Sequence, residues 1–304
     1  MTTKFAGLAA TVLLAAVVGG CGGKPHTRST PPATPTSAPA AAPTTSGSTG
    51  ARDYLALGDS VSFGYREPHT TPSPLYADAA TFVGFPQQVG AALGFDVANA
   101  SCPGETSASL VRAGAPSNGC ENSPGGGPGY RTAYPLHVAY SGTQLAFAQQ
   151  YLRTHSGTRL VTLMIGANDG FLCQRTTKDG CVSEVSALLA QVGANVTTIL
   201  RTIRTVDDYR GQVVVVDYYS LNYTSPLQNF VSQELNTAVN AAAAPFTVSV
   251  ADGYGAFKLA SAPAGGDTCK AGLLTKLTTG GCGVHPSAAG QALLAATVER
   301  SVAR

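Results

Sequence analysis

Four short blocks of the 304-residue chain carry residue types that could act together in chemistry. Gly58-Asp59-Ser60 offers a hydroxyl, and Asn99-Ala100-Ser101-Cys102-Pro103-Gly104 sets a glycine in a loop. Gly166-Ala167-Asn168-Asp169 offers a side-chain amide, and Cys282-Gly283-Val284-His285-Pro286 an imidazole. Taken singly, each reads as an ordinary turn, cap or structural histidine. Taken together they supply the parts of acyl transfer. A serine hydroxyl becomes a nucleophile when a neutral imidazole removes its proton. The charge that develops on the carbonyl oxygen then needs preorganised donors. The backbone N–H groups of Ser60 and Gly104 and the side chain of Asn168 could supply them, with Gly104 leaving room for substrate against the backbone. Asp59 reads as a support for its turn, and Asp169 as a support for the Asn168 loop. His26, His69, His137 and His155 read as linker or surface residues.

The elements around these blocks place them at one edge. Apolar runs at 54–57, 96–100, 160–165, 212–218 and 246–250 predict strands. Helices are predicted at 85–93, 143–154 and around 229–244, with a last one beginning at Pro286. The clearest helix is 183–206, where Val185, Leu188, Leu189, Val192, Val196, Ile199, Leu200, Ile203 and Val206 recur on one face and Ser183 reads as its cap. Strands alternating with helices imply a parallel sheet covered on both faces. Sites in such sheets lie beyond the carboxyl ends of the strands, which selects the residues after 57, 100 and 165. A histidine at the start of the last helix would be held neutral by the helix dipole and so kept available as a base. Residues 101–140, rich in Gly, Pro and Ser, read mostly as loop, and segments 66–84 and 103–140 are expected to shape the pocket.

Charge narrows the possible partners. Lys4, Lys24 and Arg28 are the only charged residues of the first fifty, which leaves 16 basic against 17 acidic side chains in the rest. A sparsely charged, near-neutral domain lacks the dense basic face of a nucleic-acid binder and suits neutral or amphiphilic small substrates.

In this order, the four blocks resemble the SGNH hydrolases, the GDSL-type lipases and esterases. Ser60, Gly104, Asn168 and His285 stand at the four name-giving positions, and the resemblance covers most of 51–304. It implies a three-layer α/β/α, flavodoxin-like sandwich around a central parallel sheet. It also implies hydrolysis of carboxylic esters of lipids or acylated small molecules through an acyl-enzyme on Ser60, with His285 as base, no cofactor and no metal. No Gly-x-Ser-x-Gly occurs, so the elbow of the ordinary α/β-hydrolases is absent. Two positions depart from the family pattern. Val61 replaces the last letter of the GDSL block, and Cys282 stands where the family keeps an aspartate three residues before the histidine. The imidazole then needs another acceptor for its Nδ1–H. One reading is a Ser–His dyad oriented by a backbone carbonyl near Cys282, as in the secreted bacterial branch. The other is a carboxylate from elsewhere, with Asp267 nearest in sequence. Acyl transfer to a sugar or lipid alcohol, and a non-catalytic envelope lipoprotein on the same scaffold, are the rival functions.

Seven cysteines is an odd number, and the leader explains one of them. Residues 1–20 combine Lys4 with an apolar run from Phe5 to Val18, too short for a comfortable membrane span, ending in Val18-Gly19-Gly20-Cys21. This resembles a bacterial lipobox, with Cys21 lipidated and the chain anchored to the outer face of the cell membrane. Residues 21–50 form a linker rich in Pro, Ser and Thr, which leaves 51–304 as one domain, expected to be a monomer. Six cysteines allow fifteen pairings. Pairing of neighbours, Cys102–Cys120, Cys173–Cys181 and Cys269–Cys282, is also the pattern of the secreted family branch. Each bridge would staple a loop beside one site block, at about 2–3 kcal/mol in the chain-entropy account.

Overall fold

The computed structural model describes residues 52–303. The leader, Cys21, His26 and the linker lie outside the described residues. The chain enters the fold through β1 (Asp53–Gly58), whose residues are all buried. An unbroken apolar strand of this kind needs cover on both faces. It pairs in parallel with β2 (Asp96–Asn99) on one side and β3 (Thr158–Met164) on the other. β4 (Gln212–Val216) and β5 (Ser249–Ala251) continue the sheet beyond β3, giving the all-parallel order β2-β1-β3-β4-β5. This is the flavodoxin-like order, and its switch point lies between β1 and β3.

The connections cover the sheet. α1 (Ser60–Phe63) is a single turn after β1, and α2 (Phe85–Leu93) has the predicted bounds. The predicted loop 101–140 contains two short helices, α3 (Ser107–Val111) and α4 (Tyr130–Ala133). α5 (Gln144–Thr154) precedes β3, and α6 (Ala167–Thr176) and α7 (Val185–Arg201) follow it. α8 (Pro226–Ala243) lies against α7, and α9 (Gly253–Ser261) follows β5. A two-stranded antiparallel hairpin, β6 (Leu274–Lys276) and β7 (Cys282–Pro286), precedes α10 (Ala288–Ser301). α10 packs on α2 and α9, while α7 packs on α3 and α8, so the sheet is the middle of three layers.

Four local expectations change. The fifth strand is Ser249–Ala251 rather than 246–250, and Ala244–Phe246 forms a 3-10 turn at the end of α8. α7 starts at Val185 rather than Ser183, because the Ser183 hydroxyl turns back to Asp179 Oδ2 (2.6 Å) instead of capping. Its α-helical part ends at Arg201, and Thr202–Val206 forms a wider π turn. The last helix is capped by Ser287, whose Oγ accepts the Gly290 N–H, and Pro286 is the end of β7. His285 therefore sits on a strand, and the dipole argument for its charge state does not apply. The three disulfides join Cys102–Cys120, Cys173–Cys181 and Cys269–Cys282.

Candidate active site

β1 ends in Gly58, and the chain turns at once into α1 with Asp59 as its cap, Oδ1 accepting the Val61 N–H at 2.9 Å. That turn sets Ser60 at the carboxyl edge of the sheet. Its Oγ lies 2.8 Å from Nε2 of His285, delivered by β7 from 225 residues further along the chain. The Tyr65 ring stands edge-on to the imidazole at 4.9 Å, and the Tyr219 hydroxyl donates to the Val284 carbonyl at 2.7 Å, so β7 is fixed on both sides.

The other imidazole nitrogen resolves the question raised by Cys282. Nδ1 lies 2.7 Å from Oε1 of Glu67. That same oxygen accepts the backbone N–H groups of Val284 (2.6 Å) and His285 (3.0 Å), and Oε2 accepts the Thr275 hydroxyl. Neither orienting candidate from the sequence holds this place. Cys282 sits in the hairpin opposite Lys276 with its sulfur joined to Cys269. Asp267 is drawn to Lys270, 3.2 Å from Nζ and 3.0 Å from the backbone N–H. Glu67 wins because the segment after α1 folds over the hairpin: Thr278 N–H donates to the His69 carbonyl at 2.7 Å, and Thr70 bridges to Leu277. Gly283 leaves room for it, since a Cβ there would collide with the Glu67 carboxylate. The signal in the sequence was an acid close behind the nucleophile in a chain with only 12% charged residues.

Burial works to raise the Glu67 pKa, but the hydrogen bond and charge of His285, with the Thr275 hydroxyl and the His285 N–H, outweigh it and hold the carboxyl at about 2. Near neutral pH Glu67 is thus an anion that accepts Nδ1–H and leaves Nε2 as the acceptor for the serine proton. Asp59 is fully enclosed, and burial raises it to about 6 against hydrogen bonds from Tyr218, Val61 and Asn168. Its Oδ2 accepts the Tyr218 hydroxyl at 2.6 Å and Asn168 Nδ2 at 3.2 Å, so its role reaches beyond the turn.

The adjacent strand ends bring Gly104, after β2, and Asn168, at the start of α6, to either side of Ser60. The backbone N–H groups of Ser60 and Gly104 have no hydrogen-bond acceptor among the described residues. Gly104 has φ +85°, and a Cβ there would lie 2.7 Å from Gly119 Cα. The group that crowds Gly104 is therefore the second leg of its own stapled loop. Asp169 ties this loop to α6, its two oxygens accepting the Ser107 N–H (2.8 Å) and hydroxyl (2.7 Å). Of the remaining histidines, His69 and His155 are exposed, whereas His137 is half-buried with Nε2 2.9 Å from the Phe63 carbonyl.

Ser60, Asn168 and His285 line a cavity of about 630 Å³. Its walls are Ala167 and Phe171 of α6, Val185, Leu188 and Leu189 of α7, and Leu227, Phe230 and Val231 of α8. The apolar face of α7 is thus shared: its later residues enter the core and its first turns line the cavity.

No curated protein matches the chain in sequence. Among solved structures, the fold is similar to Axe2, an acetylxylan esterase from Geobacillus stearothermophilus, with a TM-score of 0.52 at 17% identity over 84% of this chain and 96% of that one. It is equally similar to phospholipase A1 from Streptomyces albidoflavus NA297, with a TM-score of 0.52 at 20% identity over 83% of this chain and 100% of that one. The model of the GDSL-like lipase/acylhydrolase family matches residues 56–293, a span that opens on β1 just ahead of Ser60 and closes in α10 just after His285. With its parallel five-stranded sheet, its family match and its serine and histidine in contact at the sheet's carboxyl edge, the chain belongs to the GDSL-like lipase/acylhydrolase family, and its class of reaction is ester hydrolysis.

Proposed function

We propose that this protein is an exported, membrane-anchored serine esterase acting on esters with an extended apolar acyl chain. The carrying observation is the Ser60–His285–Glu67 line at the end of an apolar cavity. Ser60 Oγ attacks the ester carbonyl while Nε2 takes its proton, and Glu67 opposes the charge of the resulting imidazolium. The N–H groups of Ser60 and Gly104 and the Asn168 amide hold the oxyanion. Collapse breaks the C–O bond to the alcohol, which leaves with the proton from Nε2. Water then enters, gives a proton to His285 and attacks the acyl carbonyl. The second collapse releases the acid and returns the proton to Ser60.

An acetylxylan esterase and a phospholipase A1 share this fold, so the fold does not choose the acyl group. The lining of the cavity favours a long one, because an acetyl group would leave most of its apolar wall in water. The mouth points the same way: Leu227 is 71% exposed, Phe230 54% and Val231 46%, a concentration of apolar surface suited to a lipid aggregate. Each buried methylene is worth about 0.8 kcal/mol, or about fourfold in kcat/KM. Across p-nitrophenyl esters, octanoate should exceed acetate by about a hundredfold or more, and Val231→Asp should erase that advantage while sparing acetate. A preference for acetate would overturn the long-chain reading. Anchoring is tested separately: Cys21→Ala should move the protein from the membrane fraction to the soluble one, and an unchanged distribution would refute lipidation at Cys21.

A further inference from the structure

Among the polar side chains that line the cavity and have no task in the catalytic reading, Asn118 stands beside the oxyanion donors. Asn118 lies on the second leg of the loop closed by the Cys102–Cys120 disulfide and lines the cavity beside Asn168. Its backbone N–H donates to the Gly104 carbonyl at 2.7 Å. Its Nδ2 donates to Oδ1 of Asn168, also at 2.7 Å. One residue thus touches both oxyanion donors that reach the site from outside the nucleophile's own turn.

The direction of these bonds matters. An asparagine amide is useful in an oxyanion hole only if its NH2 end, and not its carbonyl, faces the substrate. Asp59 Oδ2 accepts from Asn168 Nδ2, and Asn118 donates to Asn168 Oδ1. The relay runs one way, Asn118 to Asn168 to Asp59, and leaves the second N–H of Asn168 for substrate. Inverting the Asn168 amide would set its carbonyl against the Asp59 carboxylate. Asn118 meanwhile keeps its own Oδ1 buried with no hydrogen-bond partner among the described residues. A buried, unpaired carbonyl costs stability, and packing alone would favour an apolar residue here. The cost is consistent with a polar group held in place for its donor end.

Building on the esterase reading above, we propose that Asn118 is a positioning residue of the oxyanion hole, fixing the Asn168 amide with its donor end toward the substrate and holding the Gly104 turn through its backbone. The test is a double-mutant cycle on an ester the wild type hydrolyses. Asn168→Ala should lower kcat by about 10²–10³-fold, the scale for one oxyanion donor. Asn118→Ala should lower kcat by about 10–10²-fold with KM within about twofold, since the interaction strengthens only in the transition state. In the double variant the Asn118 factor should vanish, because it acts through Asn168. Asn118→Asp keeps the shape but replaces the donor with an acceptor, which turns the Asn168 amide around, so it should fall below Asn118→Ala. It also carries the test if the alanine variant folds poorly. Factors that multiply in the double variant, or an aspartate as active as wild type, would overturn the proposal. If Ser60→Ala retained hydrolysis, the esterase reading itself would fail. Loss of hydrolysis in Ser60→Ala together with an additive cycle would sink the Asn118 role alone.

Discussion

Replacing Glu67 with alanine lowers kcat by about 10³–10⁴-fold, the loss expected when the carboxylate of a catalytic triad is removed. The imidazole then loses its Nδ1 acceptor, and the backbone N–H groups of Val284 and His285 lose theirs, so both the tautomer and the strand that carries it are released. Glu67→Gln separates charge from orientation. Its carbonyl can still take the three donors that meet at Oε1, and its NH2 can face the Thr275 hydroxyl, which is able to accept. What the glutamine lacks is the negative charge facing the imidazolium, so it should fall between alanine and wild type. Steady-state kinetics on the two variants and on Asp267→Asn decides the matter. The asparagine variant should match wild type, since Asp267 faces Lys270. An inactive Asp267→Asn beside an active Glu67→Ala would restore the reading taken from chain position. Stability should follow the same carboxylate. Its folded pKa of about 2 lies below the ordinary 4.5, so the native state binds this proton more weakly than the unfolded chain does. The contribution to stability is full above about pH 4.5 and is lost as the pH falls toward 2. Denaturation across that window should show wild type losing an advantage that Glu67→Gln never had.

Ser60→Ala removes hydrolysis almost entirely, by about 10⁶-fold in kcat, and abolishes labelling by a fluorophosphonate probe. The Ser60 side chain bonds only to His285 among the described residues, so the fold should not change and the cavity should still take up an ester. Ser62 provides the control. It is fully buried and its hydroxyl has no partner among the described residues, so Ser62→Ala should keep both labelling and turnover. Labelling that persists in Ser60→Ala would place the nucleophile elsewhere.

The parts of this molecule that read directly from sequence are those in which local pattern and tertiary environment agree. Tyr54–Leu57 is apolar throughout because helices cover both faces of the sheet there, and α2 is bounded by Gly84 and Gly94, which serve as its caps. Ser60, Gly104 and Asn168 follow strand ends and His285 stands on a short strand, and each of the four blocks is compact in sequence. What could not be read was pairing between remote segments. The hairpin β6–β7 is short, and its strands are too brief to show the alternation that marks a strand. Pro286 resembled a helix start because proline suits both the end of a strand and a first turn. Ser183 resembled a cap until Asp179 claimed its hydroxyl. Glu67 meets His285 across 218 residues, and nothing around it repeats or alternates to say so. Asn118 looked like part of a glycine-rich loop because its partner, Asn168, is 50 residues away.

The nucleophile and its supporting acid share the stretch from Ser60 to Glu67, while the base comes on the last hairpin. A chain emerging from its amino end therefore exposes the serine and glutamate early and gains reactivity only when nearly all of it has appeared. The order of synthesis itself keeps the catalytic pair apart until the end: no fragment that stops before β7 contains His285, the group that takes the serine proton.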